Sequence, residues 1–169
     1  MIKYLRMTYP DIANGKGVRI TLWLPGCTHR CPGCHNAWTA DYNQGKDFDA
    51  EAYNKLVSYL NKDYVEGLTI SGGDPLDQTD EVLKSLYELI VLLKANVKSA
   101  FNVWIYSGYY KENLNREWQK KVLEVCDVLV DGPYIQEKRN IMLPFRGSEN
   151  QHIWDLKTNT IIEDKNFDR

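Results

Sequence analysis

Arg19-Ile20-Thr21-Leu22-Trp23-Leu24-Pro25-Gly26-Cys27-Thr28-His29-Arg30-Cys31-Pro32-Gly33-Cys34-His35 joins a short apolar run to three closely spaced cysteines. Residues Arg19 to Leu24 are β-branched and apolar, lie between Gly17 and Pro25, and predict a strand. The cysteines follow at once, in a C-x3-C-x2-C spacing. Three thiolates on one short loop suit three irons of a cubane and leave the fourth iron without a protein ligand. Such an iron is free to take a substrate, as catalytic metals keep one position open. Gly26 and Gly33 allow the loop to wrap closely. The spacing alone also admits a structural zinc completed by His29 or His35. Four-ligand zinc motifs usually show a second matched pair, which favours iron–sulfur here. Cys126 stands apart at the start of another predicted strand and reads as a core residue.

Outward from this stretch, strands and helices alternate. Asp49 offers a helix cap, and Tyr53, Leu56, Val57 and Leu60 follow at helical spacing. Residues 67–71 predict a second strand. A helix is expected from about Thr79 to Ala95, with Asp80 and Glu81 favoured in its first turn by the helix dipole. Its apolar stripe is Val82, Leu86, Leu89, Ile90 and Leu93. A third strand is expected over 102–106. A third helix, capped by Asn115, would bury Trp118, Val122 and Val125, and a fourth strand spans 127–130. Beyond Asp131-Gly132-Pro133 the pattern predicts loop, with one strand near 160–162.

This order implies an α/β fold built on a parallel sheet with crossover helices, open or partly curled into a barrel. A full eight-unit barrel needs ~250 residues, more than the 169 of this chain. The reading is one domain over 1–169, with 1–10 and 152–169 peripheral. Residues 25–35, 72–75, 107–109 and 131–133 each follow a predicted strand, so a parallel sheet brings them to one rim. Ligands of such folds bind at that rim.

Lys+Arg 21 against Asp+Glu 23 gives a nearly neutral chain with no basic block, which argues against nucleic acid as a partner. The first ten residues lack a signal peptide's apolar stretch, and the longest apolar run, Leu89 to Leu93, is too short to span a bilayer. Three of the four cysteines cluster instead of stapling distant segments, the usage of a reducing compartment. A cytoplasmic protein is expected, with no membrane association.

The cysteine spacing followed by the ring of His35 resembles the signature of the radical S-adenosylmethionine superfamily. Ser71-Gly72-Gly73-Asp74-Pro75, about forty residues on, resembles its glycine-glycine-acid-proline segment. Asn14-Gly15-Lys16-Gly17 is similar to an element that precedes the cysteine loop in activases of glycyl radical enzymes, with Lys16 in place of the usual proline. His35-Asn36 with Thr39 resembles the pyruvate formate-lyase branch. Residues 105–109, 130–134 and Arg146-Gly147-Ser148-Glu149-Asn150-Gln151 resemble the branch that activates anaerobic ribonucleotide reductase. The resemblance runs from roughly Tyr9 to Gln151.

It implies a partial (β/α) barrel of the radical S-adenosylmethionine type, with a [4Fe–4S] cluster on Cys27, Cys31 and Cys34. It implies S-adenosylmethionine bound by Gly33, Cys34 and His35 and by Gly72, Gly73 and Asp74, with His35 packed near the adenine. No catalytic residue beyond the cluster ligands is expected. The implied partners are the glycyl radical loop of the anaerobic ribonucleotide reductase large subunit and a flavodoxin-like electron donor. Activation of another glycyl radical enzyme, or radical chemistry on a small molecule, is the alternative within the superfamily. A zinc-stabilised binding module is the alternative outside it. Asp131, on the same rim, either meets the ligand or partner peptide or caps a turn.

Overall fold

The computed structural model describes residues 2–167; residue 1 and residues 168–169, the ends of the expected domain, lie outside them. The elements in chain order are β1 (Lys3–Tyr4), β2 (Arg6–Asp11), β3 (Val18–Leu24), β4 (Lys46–Asp47), α1 (Ala50–Leu60), β5 (Val65–Gly72), α2 (Asp80–Asn96), β6 (Asn102–Tyr106), α3 (Glu117–Glu124), β7 (Val128–Asp131), β8 (His152–Asp155) and β9 (Thr160–Ile161). The main sheet has the order β2-β3-β5-β6-β7-β8-β9, and β1 pairs with β4 separately. Pairing is parallel from β3 through β5 and β6 to β7, and antiparallel at β2/β3, β7/β8 and β8/β9. The fold is therefore mixed α/β. The parallel centre matches the expectation, but antiparallel strands flank it, and β2 and β9 are edges with no pairing that closes a barrel among the described residues.

Two flanking strands depart from the sequence reading. β2 contains Pro10, which a sheet tolerates at an edge, where a missing N–H costs no ladder bond. β8 falls in the stretch expected as loop. Its four residues, His-Ile-Trp-Asp, are too few and too polar to register as a pattern, yet Ile153 is buried and the strand pairs with all of β7.

Each crossover helix follows its local chemistry. The Asp49 carboxylate accepts from the Ala52 amide at 2.9 Å and starts α1. The Thr79 hydroxyl accepts from the Val82 amide at 3.3 Å and starts α2. The buried stripe of α2 is Leu83, Leu86, Leu89, Ile90 and Leu93, so Leu83 takes the place expected for Val82. α3 begins at Glu117, without Asn115 as its cap. The Gln119 side chain accepts from the Arg116 amide at 3.1 Å, and its Nε2 donates to the Leu76 carbonyl at 2.9 Å. That buried amide binds α3 to the loop after β5.

Strand alternation separates two environments. Ile20, Leu22, Leu24, Leu68, Ile70, Val103, Ile105 and Leu129 join the helices in the main core, together with Cys126. The opposite face carries Arg19, Thr21, Thr69, Ser71, Trp104 and Tyr106. Arg19, read from sequence as part of an apolar strand, is fully buried there. Its guanidinium donates to Thr69 Oγ1 at 2.7 Å, to the Lys16 and Leu68 carbonyls at 2.9 Å and to Asn102 Oδ1 at 2.8 Å, and lies over Trp104. Burial pulls its pKa down to about 10, which leaves it charged at neutral pH. A buried cation is tolerable because each of its three nitrogens meets an acceptor. No helix among the described residues is long and apolar enough to cross a membrane.

Candidate metal centre

β3, β5, β6 and β7 run parallel, so their last residues, Leu24, Gly72, Tyr106 and Asp131, share one rim. The cysteine loop leaves β3 there and closes on itself. The Gly26 amide donates to the Thr39 carbonyl at 2.7 Å, and the Cys27 amide to the Ala40 carbonyl at 3.1 Å. Within the loop the Cys34 amide donates to the Cys31 carbonyl at 3.1 Å. Cys27, Cys31 and Cys34 are all half-buried and free. Burial pushes the Cys27 thiol up to about 11, so thiolate formation there depends on a bound metal.

The Gly72-Gly73 pair abuts this loop. Gly72 has φ +116°, and a Cβ on it would collide with the Leu24 carbonyl; one on Gly73 would collide with the Gly26 carbonyl. The Gly73 and Asp74 amides donate to those same carbonyls, at 2.8 and 2.7 Å. The two glycines are thus required for close contact between the β5 turn and the chain entering Cys27. Gln78 Nε2 adds bonds to the Pro25 and Asp74 carbonyls, at 3.1 and 2.9 Å.

Asp74 is buried, and its carboxylate is spent within the protein. It accepts from the Leu76 amide at 2.9 Å, Ser107 Oγ at 3.0 Å and the Gly108 amide at 2.9 Å, and lies 2.6 Å from His29 Nε2. One carboxylate therefore connects the cysteine loop, the β5 turn and the β6 turn. The hydrogen bond to Asp74 raises the His29 pKa against the opposing effect of burial. The stabilisation from this raised pKa is complete below the ordinary value of 6.5 and is lost as pH rises through the folded-state value. An NMR titration of the metal-free protein is expected to find His29 above 6.5, and Asp74→Asn to bring it down. An unshifted imidazole in the native protein would contradict the pairing.

Asp77, which the sequence reading passed over, fastens the other side of the loop. It accepts from the Thr28 amide at 2.7 Å, the Thr28 hydroxyl at 2.6 Å, the Tyr42 hydroxyl at 3.1 Å and the Tyr109 hydroxyl at 3.0 Å. Burial would raise its pKa, but the bonds from Thr28, Tyr109 and Tyr42 outweigh it and hold the carboxyl below its ordinary range. Its position three residues beyond Asp74 was the available signal. Asp131 resolves toward scaffold: it accepts from the Lys111 amide at 2.8 Å, the His152 amide at 3.1 Å and Trp154 Nε1 at 3.1 Å. Gly33 and His35 are exposed. His35 packs against Tyr134, ring centroids 5.5 Å apart, and a Cβ on Gly33 would collide with Gln136.

The sequence model of the family described as a 4Fe-4S single cluster domain matches residues 13–154. The chain belongs to this family. Proteins named anaerobic ribonucleoside-triphosphate reductase-activating protein are similar along most of its length. The one from Salmonella typhimurium is 36% identical over 152 residues, covering 88% of this chain and 96% of the relative. The one from Escherichia coli K12 is 35% identical with the same coverage. The one from Enterobacteria phage T4 is 35% identical over 147 residues, 86% of this chain and 90% of the relative.

The donor set fits the family's cluster better than a single zinc ion. Tetrahedral zinc with ~2.3 Å bonds to sulfur holds its donors about 4 Å apart. Among the described residues, the donors gathered within 4.8 Å of one another are Cys27, His29 and Asp77, not the three thiols. His29 Nε2 is bonded to Asp74, and the two Asp77 oxygens accept from Thr28 and Tyr109, so this trio is part of the scaffold that holds the loop. Three free thiols on one loop, a soft donor set, suit a cubane.

Proposed function

We propose that this protein is an activase: it cleaves S-adenosylmethionine reductively and generates a glycyl radical on anaerobic ribonucleoside-triphosphate reductase. The observation that carries the reading is the joining of the free-cysteine loop to Gly72-Gly73-Asp74 at the carboxyl rim of the parallel strands. Cys27, Cys31 and Cys34 would hold a [4Fe–4S] cluster; Gly33 to His35 and Gly72 to Asp74 would position S-adenosylmethionine. Bound and reduced, the cluster would supply the one electron needed to cleave S-adenosylmethionine to methionine and a 5′-deoxyadenosyl radical, which would take hydrogen from one glycine Cα.

The protein's own contribution is placement. Asp74 and Asp77 hold the N-terminal half of the cysteine loop through His29 and Thr28. The close backbone contact of Gly73 with Gly26 fixes the distance between the two binding segments. Ser107 and Tyr109 carry this order to the β6 turn. In this reading the chain would act as one domain, with its open sheet a truncated barrel of the radical S-adenosylmethionine type. Free clustered cysteines favour the cytoplasm, and a flavodoxin-like protein suits the electron supply.

The test is anaerobic reconstitution with iron and sulfide, then dithionite and S-adenosylmethionine. 5′-Deoxyadenosine is expected, and a glycyl radical EPR signal on added reductase. A protein loaded with cluster that forms no 5′-deoxyadenosine would defeat the reading.

A further inference from the structure

Residues 134–151 leave the rim after β7 and return to it as β8 begins, and between those points they build a projecting loop. The Glu149 amide donates to the Lys138 carbonyl at 2.9 Å, the Asn140 amide to the Gly147 carbonyl at 3.1 Å, and Arg139 bridges Ser148 in antiparallel fashion. The turn at its end is closed by Asn140, whose Oδ1 accepts from the Met142 amide at 2.9 Å. This is a braced structure, not a loose tail.

Its base is the Arg146–Gln151 block. Gln151 Oε1 accepts from the Gly147 and Ser148 amides, both at 3.0 Å, and its Nε2 donates to the Gly132 carbonyl at 3.0 Å. Asn150 Nδ2 donates to the Pro133 carbonyl at 2.7 Å, and Arg146 Nε to the Gln151 carbonyl at 2.9 Å. The Tyr106 hydroxyl holds the returning strand at the Phe145 carbonyl, 2.6 Å away. This block is the footing that joins the projection to the functional rim.

The tip is apolar. Ile141 is 80% exposed and Met142 84%, higher than any other large hydrophobic among the described residues. Single exposed apolar residues are ordinary, but adjacent ones at the end of a braced loop are an anchor of the kind that fills a partner's pocket. Preorganisation also lowers the entropy lost on docking. Flexible unbranched Met suits such contacts.

The partner's identity follows from position. Tyr134 packs on His35 and Gln136 closes on Gly33, so the projection rises from residues that touch the cysteine loop. Met142 follows Gln136 by six residues, which limits their separation to about 20 Å. A partner that buries about 800 Å² at the rim covers a disc on the order of 16 Å in radius. Any polypeptide delivering a glycine to the cysteine loop therefore comes within roughly 20 Å of this tip.

Resting on the activase reading, we propose that the 139–148 projection is a docking prong, whose Ile141 and Met142 enter an apolar pocket of the reductase that carries the target glycine. The test uses reconstituted holoenzyme carrying Ile141→Asp and Met142→Asp, with Ile141→Leu/Met142→Leu as the conservative control. Three quantities are measured: affinity for the reductase, glycyl radical yield, and 5′-deoxyadenosine formed with dithionite alone. The acidic variant should bind at least tenfold more weakly and give less radical at limiting reductase. Its yield should recover as reductase is raised, and 5′-deoxyadenosine formation without reductase should stay within twofold of the parent. The Leu control should retain affinity. Unchanged affinity and radical yield would overturn the prong. So would a parent protein that self-associates through this tip, with the acidic variant monomeric and still able to bind reductase normally. Loss of 5′-deoxyadenosine in the parent itself would instead strike the activase reading.

Discussion

Replacing Cys31 with serine is expected to abolish S-adenosylmethionine cleavage while the polypeptide remains folded. Cys31 is half-buried on the rim loop, outside the main core, and the bond its carbonyl accepts from the Cys34 amide belongs to the backbone. Substitutions away from cores usually stay within about 0.5 kcal/mol, or roughly 1–2 °C in Tm for a chain of this size. A serine hydroxyl is a hard, weakly acidic donor that replaces a soft thiolate poorly. The metal-free variant should melt with the parent, whereas iron and sulfide content after reconstitution should fall and 5′-deoxyadenosine should drop below detection. Cys126→Ser provides the contrast. Its thiol is buried and its pKa is raised by desolvation, so it stays neutral and the loss should be stability, with cleavage retained. Full cleavage by the Cys31 variant would remove this residue from the ligand set.

The parts of this architecture legible in the sequence are those governed by local rules. β6 was bounded correctly because Asn102–Tyr106 is a run of β-branched and aromatic residues between turn signals. The Asp49 cap was readable because capping is decided within three residues. The convergence of four post-strand motifs on one rim needed only the parallel order of four strands. What escaped depends on partners far along the chain. Arg19 is tolerable inside the sheet only through Thr69 and Asn102, 50 and 83 residues away. The pairing of His29 with Asp74 spans 45 residues, and neither residue alone signals it. β8 exists because β7 offers an open edge and because Trp154 can donate to Asp131. Asp131 itself was left between ligand and scaffold, and its saturation by Lys111, His152 and Trp154 could be recognised only in three dimensions. Gly72 and Gly73 stood out in the sequence as a place for close approach to a ligand, and the backbone they approach is the protein's own.

Asp74→Ala should damage stability and cluster retention together, because the carboxylate serves three segments at once. Its removal leaves the Leu76 amide, the Ser107 hydroxyl, the Gly108 amide and His29 Nε2 without their acceptor in a buried setting. Breaking a buried, hydrogen-bonded ionic group in this way costs about 3–5 kcal/mol, or on the order of 6–20 °C in Tm. Asp74→Asn separates charge from shape. It keeps one acceptor oxygen but turns an NH₂ group toward donors, so a smaller loss is expected, still well above that of an exposed site. A double-mutant cycle with His29→Ala then apportions the loss. Groups in direct contact couple by roughly 0.5–3 kcal/mol, whereas a carboxylate that served only a ligand would show no coupling in the metal-free protein. The expected result is clear coupling without metal, with iron release from the reconstituted protein accelerated in both single variants. If metal-free Asp74→Ala melted with the parent, the carboxylate would not be the joint of the rim, and its importance would have to lie with the ligand alone.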